Sequence, residues 1–227
     1  MIIYVNGDSH SAGAEIQNSY CFANDDPLYY GLGRQPHPDN IKLSYGCIIA
    51  NTFGAVFHTD AESASSNDRI IRTTREYLNN HTPDLVIIGW STWEREEWIV
   101  DDVAWQINAG GVGEDWPRSV KDRYHHWIAN IDHVAVEQQQ HEKIWQFHQE
   151  LAGIPHLFFN SYLAFKSVTT PYNWGDSYLH PYNNDYTYYH WLSSKGYQTV
   201  YPESYHYGSD AHHAWADFLI PHLTKLL

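Results

Sequence analysis

Residues 2–11 read Ile2-Ile3-Tyr4-Val5-Asn6-Gly7-Asp8-Ser9-His10-Ser11. An apolar, β-branched run meets Gly-Asp-Ser within ten residues of the start. A strand buried on both faces reads as a continuous apolar run rather than an alternation, so this is a central strand. In open α/β sheets, ligands bind beyond the carboxyl ends of the strands. Gly7 permits a sharp turn there, which projects Ser9 into that crevice. Gly, Asp and Ser are also ordinary turn residues, and the triplet alone says little.

The far end of the chain gives it weight. Ser209-Asp210-Ala211-His212-His213 precedes a C-terminal helical pattern. An early serine with a late Asp-x-x-His supplies a nucleophile, an orienting carboxylate and a base. Between the two ends, strand and helix patterns alternate. Helices are expected over residues 44–53, 68–79, 135–151 and 211–226, with a short one over 189–194. Strands are expected over 55–58, 84–89 and 156–160, with an edge strand over 199–201 halted by Pro202. Asn67 is the expected N-cap of the second helix. Alternation of this kind implies parallel strands with helices on both faces.

The whole chain, residues 1–227, is expected to form one domain with long aromatic-rich loops over about 18–40, 93–134 and 161–189. The first loop follows Ser9 and is expected to wall the site. The second is read as an insertion with short helices. Its Gly110-Gly111-Val112-Gly113 neither follows a strand nor opens a helix, which excludes a phosphate loop.

Composition narrows the classes. With 43% hydrophobic and 18% charged residues, the chain is globular rather than disordered. A net charge of −14 argues against binding a polyphosphate backbone, so no nucleic-acid partner is expected. No run approaches a membrane span, and no charged and apolar leader precedes the first strand, so the expected location is the cytoplasm. Cys21 and Cys47 make no disulfide framework, and Cys47 reads as a core residue. The 10 Trp, 18 Tyr and 8 Phe fall largely in polar, loop-like sequence. They either pack the loops onto the domain or offer a stacking surface for a sugar.

A serine hydroxyl is a weak nucleophile until a base takes its proton. His213 is the expected base, and Asp210, three residues earlier, would hold its other ring nitrogen. Asp210 is equally readable as a helix cap. His212 competes with His213, and His206 lies nearby. No zinc-ligand spacing stands out.

These blocks resemble the SGNH (GDSL-type) hydrolase superfamily over the whole length. Gly7-Asp8-Ser9 matches its nucleophile block, and Asp210-Ala211-His212-His213 its C-terminal Asp-x-x-His block, which selects His213. The resemblance implies a three-layer α/β/α sandwich around a parallel sheet of about five strands. It also implies an oxyanion hole built from a Gly amide after the second strand and an Asn after the third. This chain departs at both places. Ala64-Ser65-Ser66-Asn67 stands at the first, and Gly89-Trp90-Ser91-Thr92 at the second. The expected oxyanion donors are therefore the amides of Ser9 and Ser65 with the Ser91 hydroxyl or the Asn67 carboxamide. One such donor is worth roughly 3 kcal/mol.

Trp90 and Arg95 are the expected substrate contacts. Arg95 either pairs with a neighbouring glutamate or holds a carboxylate or sulfate on the substrate. The expectation is a serine esterase working through an acyl-enzyme on a small-molecule or glycan ester, an O-acylated sugar among them, with no metal or organic cofactor. Two alternatives stand: a carbohydrate-binding or structural module that keeps the fold without catalysis, and an acyltransferase using the same groups.

Overall fold

The apolar runs pair as parallel neighbours. In the computed structural model, which describes residues 1–17, 36–108, 110–113 and 116–227, the main sheet has four strands in the order β2-β1-β3-β6. They are β1 (Ile2–Gly7), β2 (Val56–Thr59), β3 (Leu85–Trp90) and β6 (His156–Asn160). Tyr4 lies beside His58 on one side and Val86 on the other, and Val86 lies beside His156.

Side chains alternate across these strands, and each face carries its own core. Ile3, Val5, Leu85, Ile87, Leu157 and Phe159 face one layer. That layer contains α3 (Tyr45–Thr52), α7 (Tyr188–Ser194) and α8 (Ser209–Leu226), which contribute Ile49, Leu192, Trp215 and Leu219. Tyr4, Val86, Ile88 and Phe158 face the other layer. There α4 (Asn67–Leu78) and α6 (His133–Glu150) contribute Ile70, Ile71, Ile144 and Phe147. This is the three-layer α/β/α arrangement that the sequence implies.

Among the described residues the sheet has four strands where about five were expected. Residues 199–201 do not join it; Thr199 makes only an isolated antiparallel bridge with Tyr207. At the β6 edge, the place of a further strand is held by a single parallel bridge between Phe158 and Tyr178 in the loop that follows β6.

The segment expected to hold only short helices contains an antiparallel hairpin. It pairs β4 (Glu96–Val100) with β5 (Val103–Ile107) and is followed by the 13-residue helix α5 (Arg118–Asn130). Asp101 and Asp102 turn it with φ of 53° and 61°, the left-handed pair that a tight hairpin needs. Trp98, Ile107, Trp116, Val120 and Tyr124 form a separate small core beneath it.

Two local expectations change. Ser66, not Asn67, caps α4, its hydroxyl accepting from the Arg69 N–H at 3.2 Å. Cys47 is half-buried rather than in the core. Cys21 and most of the first long loop lie outside the described residues. Among the described residues, no helix is long and apolar enough to cross a membrane.

Candidate active site

Gly7 closes β1 in a conformation few other residues adopt, with φ of +155°. A Cβ there would lie 2.1 Å from the Ser11 Oγ and 2.8 Å from the Gly89 carbonyl oxygen. The absence of a side chain lets β1 turn tightly against β3 into a one-turn helix, α1 (Ser9–Ala12). Asp8 caps that helix, its Oδ1 accepting from the His10 N–H at 3.1 Å. The preceding Asn6 is buried, and its carboxamide reaches the Thr73 and Thr74 hydroxyls of α4. The strand end that carries Ser9 is thereby fixed to the neighbouring helix.

Ser9 opens onto a cavity of about 400 Å³ lined by Asp8, Ser9, His10, Ser63, Ala64, Thr92, Arg95, Tyr162, Tyr205 and His206. These residues follow the carboxyl ends of β1, β2, β3 and β6, together with the segment before α8, which is the crevice where α/β sheets bind ligands. Ser9 is 7% exposed. Its hydroxyl makes no hydrogen bond among the described residues.

Two imidazoles, His10 and His206, line this cavity, and His206 is the one bonded to a carboxylate. Its Nδ1 lies 2.7 Å from Oε2 of Glu15, which leaves Nε2 for the cavity. Glu15 is buried and has φ of 64°, a strained conformation for a residue with a side chain. The Ser204 hydroxyl donates to Oε2 at 2.6 Å, and the Tyr201 hydroxyl donates to Oε1. Burial alone would raise the Glu15 pKa. The bonds from His206, Ser204 and Tyr201 outweigh it and hold the carboxyl at about 2, so it is ionised. His10 packs edge-on to the His206 ring, with centroids 5.4 Å apart. Burial keeps His10 neutral, with its pKa lowered to about 4.

Asp210 and His213 are not gathered here. Helix α8 begins at Ser209, so residues 210 and 213 lie three apart on one helical face, and both are exposed. Asp210 borders a separate depression with Tyr197, Gln198, Gly208, Ser209 and Ala211. His212 turns inward instead: its Nδ1 accepts from the Tyr45 N–H at 3.2 Å, and its Nε2 meets the Tyr188 hydroxyl at 3.0 Å.

The expected oxyanion donors are also redistributed. The Ser65 N–H donates to the Glu62 carbonyl at 3.3 Å, and its hydroxyl accepts from Arg69 at 3.2 Å. Ala64, with φ of 67°, is the residue at the cavity, and its N–H has no partner among the described residues. The Arg69–Glu62 ion pair at 2.6 Å holds this turn. The hairpin supports it too, because the Ser66 N–H donates to Gln106 Oε1 at 3.1 Å. Asn67 spends its carboxamide on the backbone of Ser91: Oδ1 accepts from the Ser91 N–H at 2.8 Å, and Nδ2 donates to the Ser91 carbonyl at 3.3 Å. The Ser91 hydroxyl is buried and accepts from Arg95 at 2.8 Å.

Trp90 is fully buried against Phe147 and Phe158 and does not reach the cavity. Arg95 does reach it, and its partner is Asp8 rather than a neighbouring glutamate. Among the described residues, no group of three or more His, Cys, Asp or Glu is disposed to hold a metal ion.

Glu15, His10 and Ala64 carry no motif signal. Glu15 sits six residues after Ser9, ahead of the first expected loop. The available clue is the clustering of Tyr201, Ser204 and His206 ahead of the last helix.

No family model matches the chain, and no curated protein matches it. Solved structures with a related chain path include carbohydrate esterases. One is a carbohydrate esterase whose active site displays divergent catalytic and non-catalytic binding functions (16% identity, TM-score 0.43, covering 98% of this chain and 64% of that one). Another is a carbohydrate esterase family 2 enzyme with a carbohydrate binding domain from Corynascus thermopiles (Myceliophthora fergusii) (14%, 0.45, 99% and 65%). A third is an acetyl xylan esterase from the rumen bacterium Butyrivibrio proteoclasticus (11%, 0.42, 98% and 64%). The chain thus spans just under two thirds of the length of each. Identities this low and TM-scores below 0.5 leave the assignment of the site to the geometry of this chain.

Proposed function

We propose that the chain is a serine esterase acting on O-acylated carbohydrates, with Ser9 as nucleophile, His206 as base and Glu15 as the orienting carboxylate. The supporting observation is that Ser9 shares a cavity at the carboxyl edge of the sheet with an imidazole whose Nδ1 is bonded to an ionised, buried carboxylate. In the reaction, Ser9 Oγ attacks the acyl carbon as Nε2 of His206 takes the hydroxyl proton. The carbonyl π pair moves onto oxygen and is met by the Ser9 and Ala64 amides. Glu15 holds the Nδ1–H and stabilises the imidazolium. Collapse of the intermediate expels the sugar oxygen, which takes the proton back from His206. Water then attacks the acyl-enzyme by the same route, giving up one proton to His206 and releasing the acid and Ser9. The open Ser9 hydroxyl has to close on His206 when the ester enters, as is common in unliganded sites.

Tyr205 and Tyr162 support a carbohydrate as the alcohol. Tyr205 is 61% exposed at the cavity, and its ring stands edge-on to Tyr162 with centroids 6.1 Å apart. Exposed ring faces beside a polar cavity suit a sugar, which presents C–H groups and hydroxyls together.

The test is labelling by a fluorophosphonate read by intact mass, together with acid release from a panel of acylated glycans. The wild type gains one adduct, Ser9→Ala gains none, and the wild type releases acid. A folded wild type that neither labels nor releases acid overturns the reading and favours a binding module.

A further inference from the structure

We propose that Arg95 is a third, side-chain oxyanion donor for acyl transfer at Ser9, an inference that rests on the esterase reading above. The two side chains best placed in the sequence for that task are occupied. Asn67 is bonded through both carboxamide atoms to the Ser91 backbone. The Ser91 hydroxyl is buried and bonded to Arg95. Arg95 itself returns over the end of β3 and lines the cavity beside Ser9, Ala64 and Thr92.

Its guanidinium is anchored along one edge. Nη1 lies 2.8 Å from the Ser91 Oγ and 3.4 Å from the Asp8 Oδ2. Nε and Nη2 have no partner among the described residues. A guanidinium carries five N–H donors in a rigid fork, so anchoring Nη1 sets the direction of the rest. The side chain is only about a quarter exposed, which limits how far water screens it.

The charge balance favours a transition-state role. Asp8 offsets the guanidinium in the resting site, and a neutral ester gains little from Arg95 on binding. When the carbonyl oxygen becomes an anion, the free N–H groups of the guanidinium gain an interaction that the neutral ester lacks. An interaction stronger in the transition state than in the ground state raises kcat rather than lowering KM. The other partner for a guanidinium is an acid group on the substrate, but the net charge of −14 repels such a substrate.

The experiment compares wild type, Arg95→Gln and Arg95→Lys with p-nitrophenyl acetate and with a succinate half-ester of p-nitrophenol. Inhibition by phenylboronic acid, which forms a tetrahedral anion on a nucleophilic serine, is the second readout. The expected result for Arg95→Gln is a fall in kcat of roughly 10²-fold or more on both esters, the size seen for one oxyanion donor. KM stays within a few-fold, and boronate affinity falls in parallel. Arg95→Lys, which keeps the charge toward Asp8 and covers a variant that folds poorly, recovers part of both. Unchanged kcat and boronate affinity in Arg95→Gln overturn the inference. So does a defect confined to KM for the half-ester, which makes Arg95 a subsite for anionic substrates. A wild type that neither turns over nor binds boronate is a different failure, that of the esterase reading.

Discussion

Nδ1 of His206 lies 2.7 Å from Oε2 of Glu15, across 191 residues of chain. The pair joins the segment after the first strand to the segment before the last helix. In the proposed mechanism the orienting carboxylate thus comes from the N-terminal side of the fold, six residues after Ser9. Three donors converge on Glu15, and its backbone is held in the left-handed region. Strain of this kind, of order 1–3 kcal/mol, persists where surrounding contacts over-determine it.

Glu15→Gln keeps the shape and removes the charge. It is expected to lower kcat by 10²- to 10⁴-fold, the range in which an orienting carboxylate works, with a small change in KM. Steady-state kinetics on an acylated sugar check it. Activity within threefold of wild type removes Glu15 from the site.

Acid is expected to destabilise the fold in two stages. Burial lowers the pKa of His10 to about 4 and that of His212 to about 3, where nearby histidine charges add to the effect. Protonating His212 would place a proton on Nδ1, which already receives the Tyr45 N–H. Between pH 6.5 and about 3 the unfolded chain binds these protons and the folded chain resists them, so stability rises with pH in that window. Glu15, held at about 2 from an ordinary 4.5, adds a second loss between those values, again because the unfolded state binds the proton first. Denaturant midpoints measured from pH 7.5 to 3 should fall progressively below pH 6.5, and His212→Gln should flatten the slope. A midpoint constant from pH 7 to 4 contradicts this.

Gly7→Ala places a methyl 2.1 Å from the Ser11 Oγ and 2.8 Å from a backbone oxygen at a φ of +155°. The backbone oxygen cannot move as a side chain can. The expected cost is about 1–3 kcal/mol or more, with loss of activity because Ser9 moves with the turn. Chemical denaturation reads the stability. A variant as stable and active as wild type would show that the turn is not held this tightly.

Asn67→Ala separates bracing from catalysis. It leaves the N–H and carbonyl of Ser91 unpaired in a buried place, at about 1–3 kcal/mol for such a group. Stability is expected to fall by that amount, while kcat of the folded protein falls less than tenfold. A loss of 10²-fold or more in kcat without a loss of stability would return Asn67 to the oxyanion hole.

The layers of this fold are legible in its sequence because buried parallel strands must be apolar on both faces. Residues 2–7, 85–90 and 156–160 have that character, and the helices between them show apolar faces at helical spacing. The hairpin is not legible. Glu94-Arg95-Glu96-Glu97 reads as a charged helical turn, and Asp101-Asp102 lacks the glycine that marks most tight turns. The charges have tertiary partners: Arg72 bonds Glu97 through Nε and Nη2 at 2.8 and 2.7 Å.

Of the site, Ser9 at its strand end is readable from Gly7 and the apolar run before it. The Asp-x-x-His block does not line the Ser9 cavity. Asp-x-x-His spacing puts both side chains on one face of α8, and the turn of that helix leaves Asp210 and His213 exposed while Ala211 and His212 are buried. His206 lies before the helix, where its N–H donates to the Ser204 hydroxyl and its carbonyl accepts from Val200, and its ring lines the cavity. Glu15 is out of reach of any spacing rule, because its partners Tyr201, Ser204 and His206 come from the opposite end of the chain.

The most direct test compares two histidines seven residues apart. His206→Ala and His213→Ala are assayed for fluorophosphonate labelling and for release of acid from an acylated sugar. The account predicts that His206→Ala loses both by at least 10³-fold, while His213→Ala stays within a few-fold of wild type. Retained activity in His206→Ala together with loss in His213→Ala would contradict it.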